Sequence, residues 1–83
     1  MAHSSTQSEI LTIIKGLYDI DPGSIDPNQS LATFGLDSLL LAELIFAIED
    51  HFQISYPESR MHVQTLDELA QAVDETRALE SLV

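Results

Sequence analysis

Residues 34–44 read FGLDSLLLAEL. Asp37 stands directly before Ser38, and leucines follow at 39, 40, 41 and 44. An aspartate at this point accepts a hydrogen bond from a free amide of the first helical turn and complements the helix dipole. The pattern predicts a helix from about Ser38 to Phe52, roughly 22 Å long. Leu41, Leu44, Ile45, Ile48 and Phe52 form its core stripe. Leu39 and Phe46 share another face with Glu43 and Asp50, and Leu40 lies to one side of the core stripe. The helix is therefore apolar beyond what one core face requires. An apolar strip edged by Glu43, Glu49 and Asp50 describes a docking surface. The alternative is that Leu39 or Phe46 folds back onto the segment preceding the helix. Read for capping alone, Asp37 is an N-cap and Ser38 an ordinary first helical residue.

Upstream, Ile10, Ile13, Ile14 and Leu17 follow the i, i+3, i+4, i+7 spacing of an amphipathic helix over about Ser8 to Tyr18. Thr6 and Glu9 have the form of a capping box before it. Residues 19–36 carry two prolines, two glycines and several Asp, Asn and Ser residues, the chemistry of turns. A connector this long is expected to be packed down, with Ile20, Ile25, Leu31, Phe34 and Leu36 as pins. Downstream, Pro57 is set to open a short helix through about His62. Thr65 and Glu68 form a second capping box before a last helix, about Leu66 to Ala78, whose Leu66, Leu69, Ala70 and Val73 face inward. No apolar–polar alternation signals a strand. The expected fold is all-α: a small four-helix bundle, three helices long and one short, with a long first connector. Residues 1–83 are expected to form one domain, ordered over about 8–78 with flexible ends.

The bulk properties narrow the function. The 83 residues carry fourteen acidic and three basic side chains, a formal net charge of −11. Such a surface repels nucleic acid and anionic lipid and attracts basic partner surfaces; a charge that serves solubility alone is the simpler alternative. The chain has no cysteine, so neither disulfide nor thiol chemistry is native to it. His3, His51 and His62 lack metal-ligand spacing. Residues 1–9, MAHSSTQSE, show no basic leader or apolar stretch, and no apolar run approaches ~20 residues. A cytoplasmic chain without membrane insertion is the expectation.

Two chemistries fail on inspection. Residues 19–30, DIDPGSIDPNQS, superficially suggest an EF-hand loop, but the glycine falls at the fifth position and Ser30 occupies the twelfth, where a bidentate glutamate belongs. Ser38 as a catalytic nucleophile would need a base and an oxyanion hole. Position 40 is Leu, so there is no G-x-S-x-G elbow. His51 lies some three and a half turns down the same helix, out of reach. No catalytic residue and no metal site are assigned.

The stretch FGLDSLLLAELIFAIEDHF, followed by ISYP, resembles the acyl carrier proteins. In that family a G-x-D-S-L motif opens the second helix, and an E-L pair follows five residues after the serine. Gly35, Asp37, Ser38, Leu39, Glu43, Leu44 and the Phe52…Pro57 ending match, and helix order, connector and size extend the resemblance over essentially the whole chain. The resemblance implies that Ser38 carries 4′-phosphopantetheine, moved from coenzyme A by a magnesium-dependent phosphopantetheinyl transferase. It implies a carrier, not an enzyme: acyl groups ride as thioesters on the arm's thiol in fatty-acid, polyketide or specialised lipid biosynthesis. Asp37 suits the transferase's magnesium or a basic residue. Leu39, Leu40, Glu43, Phe46, Glu49 and Asp50 belong to the surface that loading, synthase or transferase enzymes read with basic docking surfaces. A monomer is implied.

Leu40, bulky Phe46 and the segment PESRMHVQT with Arg60 and His62 depart from the pattern of fatty-acid carriers and lean toward a specialised partner set. An aminoacyl or peptidyl carrier loaded by an adenylating ligase is the related alternative. An unmodified acidic adaptor is the alternative of another class.

Self-repulsion among the acids opposes the compact state and is screened by ions. Added salt or divalent cations should raise the melting temperature in a calorimetric scan; a flat response would count against this account.

Overall fold

In a computed structural model, residues 5–57 and 62–80 are described. They form three α-helices: α1 (Ser5–Tyr18), α2 (Ser38–Phe52) and α3 (Leu66–Glu80). Two 3-10 turns, Pro22–Ser24 and Leu31–Phe34, lie in the connector between α1 and α2. Among the described residues there is no β-strand, only an isolated antiparallel bridge between Ser30 and Thr65. The fold is small and all-helical, with three α-helices in evidence. The short helix expected from Pro57 to His62 falls mostly on residues 58–61, which lie outside the described residues.

The core is built from the stripes that periodicity picked out. Ile10 and Ile14 of α1, Leu44 and Ile48 of α2, and Leu66, Leu69 and Val73 of α3 are fully buried, together with Leu31 of the connector. Ile45 and Ala70 join them, while Leu41 and Phe52 are half-buried against the cluster. Helices α1 and α2 run antiparallel. Glu9 meets His51 at one end, with 3.1 Å between carboxylate and imidazole, and the Tyr18 hydroxyl donates to the Leu40 carbonyl at the other, 2.8 Å.

The connector is packed down, as its length required. Ile25, Leu31 and Leu36 are buried; Ile20 and Phe34 pack partly against the core. Two backbone bonds tie it to the region of α3's start: Leu31 N–H donates to Gln64 O (2.7 Å) and Asp67 N–H to Pro27 O (3.0 Å). The turn chemistry is local. Asp21 accepts from the Gly23 amide, and Ser30 accepts from the Ala32 amide.

One capping box forms and the other does not. Thr65 Oγ1 accepts from the Glu68 amide (3.1 Å), and Glu68 Oε1 accepts from the Thr65 amide (3.2 Å). At the other end, α1 starts at Ser5, so Thr6 lies within the helix. Its side chain is buried and its hydroxyl donates to Asp74 of α3. Glu9 turns to His51. Packing of α1 against both neighbours offers these two side chains tertiary partners and overrides the local cap. α3 also runs two residues beyond the expected Ala78, and the Glu80 carboxylate accepts from the Ser55 amide (3.1 Å). Tyr56 and Val63, buried on either side of residues 58–61, complete the core.

Ile48 is fully enclosed, so deleting one methyl leaves a void that neighbours fill only in part. Ile48→Val should cost about 0.5–1.5 kcal/mol. The lowered urea midpoint should come with an unchanged slope.

Candidate functional site

The mouth of α2 is made by a short chain of local constraints. The 3-10 turn Leu31–Phe34 ends at Gly35, whose φ of 91° lies in the left-handed region that glycine enters without a Cβ clash. The Gly35 amide donates to Ala32 O (3.0 Å) and the Leu36 amide to Leu31 O (3.2 Å). This reversal buries Leu36 and sends Asp37 to the surface. Asp37 then caps the helix: its Oδ1 accepts from the Leu40 amide (3.0 Å), and its carbonyl accepts from the Leu41 amide (2.8 Å).

Ser38 follows as the first residue of α2 and is exposed. Its hydroxyl makes no hydrogen bond among the described residues. The amides of Ser38 and Leu39 have no intrahelical acceptor, so positive potential gathers around this oxygen. His51 is far down the helix and held by Glu9.

A groove of about 530 Å³ opens beside Ser38, between α2 and residues 62–64. Leu31, Leu36, Leu41, Ile45 and Val63 supply apolar lining, and Ser30, Asp37, Ser38, His62 and Gln64 supply polar groups. The exposed imidazole of His62 stands on this groove without a hydrogen bond or ion pair among the described residues. In the sequence His62 stands out as a departure from an acidic pattern and as a histidine without metal-ligand spacing, not as a neighbour of Ser38. Its distance from Ser38 in sequence hid the proximity.

The outer face of α2 carries the second apolar stripe. Leu39 is 69% and Phe46 66% exposed, so neither folds back onto the connector. Glu43 and Asp50 are exposed beside them. Positions 39, 43, 46 and 50 share one helical face.

Two residues expected on this surface are engaged elsewhere. Leu40 is half-buried against the core, and its carbonyl receives the Tyr18 hydroxyl. Glu49 is half-buried, and its Oε2 accepts from the Tyr56 amide (2.8 Å), holding the chain after α2. Burial pushes the Tyr18 phenol above its ordinary range, and the carboxylate of Glu43 adds to the shift. Tyr18 therefore stays a donor to Leu40 throughout the neutral range.

The described residues thus define a small helical domain that offers a bare hydroxyl at a helix N-terminus, with a groove on one side and an apolar-acidic face on the other. A family model described as "Phosphopantetheine attachment site" matches residues 8–73, and the chain belongs to that family. It is 27% identical over 66 residues to acyl carrier protein 2, mitochondrial, of Arabidopsis thaliana, a match covering 77% of this chain and 52% of that protein. The chain therefore spans about half the length of the curated relative it matches. Its fold is that of an acyl carrier protein from Thermotoga maritima, with a TM-score of 0.78 over 99% of this chain and 100% of that one, at 17% identity. The family is one of acyl carriers rather than enzymes, and its prosthetic group is 4′-phosphopantetheine. The site suits such a group: a free, exposed hydroxyl to esterify, outward helix amides, and an adjoining groove with apolar and polar lining.

The cap gives a direct check. Asp37→Ala should cost roughly 0.5–2 kcal/mol by freeing the Leu40 amide, and Asp37→Asn should restore most of it. Ser38→Ala should leave the thermal midpoint in place, because the hydroxyl supports nothing in the fold.

Proposed function

We propose that this chain is one acyl carrier domain over residues 1–83 and that Ser38 is its attachment residue. The observation that carries the reading is the exposed, unbonded Ser38 hydroxyl on the first turn of α2, within the span matched by the family. When attached, 4′-phosphopantetheine supplies a thiol on which an acyl chain travels as a thioester. The protein's own residues do the rest. Asp37 fixes the first turn of α2 and so the direction in which Ser38 faces. The outward amides of that turn favour the negative charge of a phosphodiester. Asp37 is a like charge at the same place, and its role is toward a magnesium ion or basic group of the incoming transferase.

Leu39, Glu43, Phe46 and Asp50 form the face read by partner enzymes, with apolar area for affinity and acids for steering toward basic surfaces. Leu40 and Glu49 belong to this face only through the positions they hold, since both are engaged inward. Phosphopantetheinyl transferase is one such partner; acyl-loading, synthase or transferase enzymes are the others. The pathway is fatty-acid, polyketide or specialised lipid biosynthesis. No helix among the described residues is long and apolar enough to cross a membrane. A cytoplasmic monomer completes the reading, and the Arabidopsis relative is named as mitochondrial.

Incubation with a phosphopantetheinyl transferase, magnesium and coenzyme A should add one phosphopantetheine to the intact mass. Ser38→Ala should fold and gain nothing. Equal gain in both proteins would remove Ser38 from this role. Phe46→Ala should weaken loading by a partner enzyme through KM, about tenfold for the loss of one central aromatic contact, with the melting curve little changed.

A further inference from the structure

Attaching an arm to Ser38 places a phosphodiester against Asp37 on a chain that already carries a net charge of −11. Among the described residues, few side chains answer that charge. Lys15 pairs with Asp19 at 2.7 Å, Arg77 lies over the Phe52 ring, and His51 meets Glu9. His62 is different. It lines the same groove as Ser38 and Asp37, its ring is exposed, and no hydrogen bond or ion pair among the described residues holds it. Of the side chains on that groove, Asp37 and His62 are the ionisable ones; the Ser30 hydroxyl and the Gln64 amide can donate as neutral groups, and the imidazole is the one donor there that can also carry positive charge.

We propose that His62 is the positioning residue for the arm: its ring N–H donates to the phosphodiester on Ser38 and draws the arm along the groove between α2 and residues 62–64. The proposal rests on the attachment of the group at Ser38. One ring nitrogen donates in the neutral imidazole and both donate in the cation, so the contact needs no particular charge state. A hydrogen bond to an anionic oxygen is stronger than one between neutral groups. Val63, next in the chain, is buried against the core and fixes the backbone from which His62 projects. The Leu31 amide, bonded to Gln64 O at 2.7 Å, ties down the next residue on the same side. The backbone is thus anchored immediately after His62, and no contact among the described residues holds its ring.

The test uses wild type, His62→Ala and His62→Gln, each loaded to completion with phosphopantetheine and verified by mass. In wild type the His62 ring resonances should move on loading, and the phosphodiester ³¹P resonance should differ from that of His62→Ala. His62→Gln, which keeps an N–H donor, should shift it back toward wild type. The arm's thiol should react with a small alkylating agent about two- to fivefold faster in His62→Ala, as expected for losing one partly exposed, charge-assisted hydrogen bond. Unmoved ring and ³¹P signals, or equal alkylation rates in wild type and His62→Ala, would overturn the role of His62 while the mass gain keeps Ser38 as the attachment residue. Absence of any mass gain in wild type would remove the attachment and this inference together.

Discussion

The rotational setting of α2 governs everything else in this protein. Leu44, Ile45 and Ile48 are buried against the core, and burial of that stripe fixes which residues face outward. Fully burying each such aliphatic side chain contributes on the order of 1.5–3 kcal/mol, far more than any single surface contact on this helix. With that stripe inside, Leu39, Glu43, Phe46 and Asp50 face solvent, and Ser38 stands at the rim of a groove. Tyr18 reinforces the setting through the Leu40 carbonyl, within one turn of the serine. The exposed hydroxyl and the apolar-acidic face are thereby held on one rigid element.

Electrostatics act on the same helix with opposite signs at different places. At its N-terminus the free amides favour an anion, whereas Asp37 adds a negative charge there in order to cap it. Along its outer face, acids alternate with exposed apolar side chains, which suits basic partners and discourages self-association of the apolar stripe. Among the described residues, both basic side chains make contacts within the chain: Lys15, by its hydrogen bond and charge, holds the exposed Asp19 carboxyl below its ordinary range, and Arg77 covers an aromatic ring. His62 is left facing the groove.

The connector shows how length in a small chain is made tolerable. Eighteen-odd residues of turn chemistry between two helices would cost much conformational entropy if loose. Here Ile25, Leu31 and Leu36 enter the core, and backbone bonds from Leu31 and Asp67 lash the segment to the start of α3. The same anchoring places residues 62–64 across from Ser38, so the packing of the connector also builds the groove.

Much of this was legible in the residues themselves. Helical periodicity placed all three α-helices, and short-range chemistry set the Asp37 cap and the Thr65–Glu68 box, because each of these signals acts within about a turn of chain. The position of Ser38 at a helix mouth followed from them, as did the exposure of Leu39 and Phe46 once the inner stripe was assigned. What the tertiary structure decided are choices between partners distant in sequence. Thr6 leaves its cap for Asp74, 68 residues away, and Glu9 leaves it for His51, 42 residues away. Leu40 packs partly against the core while its carbonyl receives the Tyr18 hydroxyl, and the Glu49 carboxylate turns to the Tyr56 amide. His62 meets the groove of Ser38 only after α3 and the connector have closed on each other. Local hydrogen bonding and periodicity carry no information about such meetings; they are settled when buried area and polar satisfaction are resolved together across the whole core.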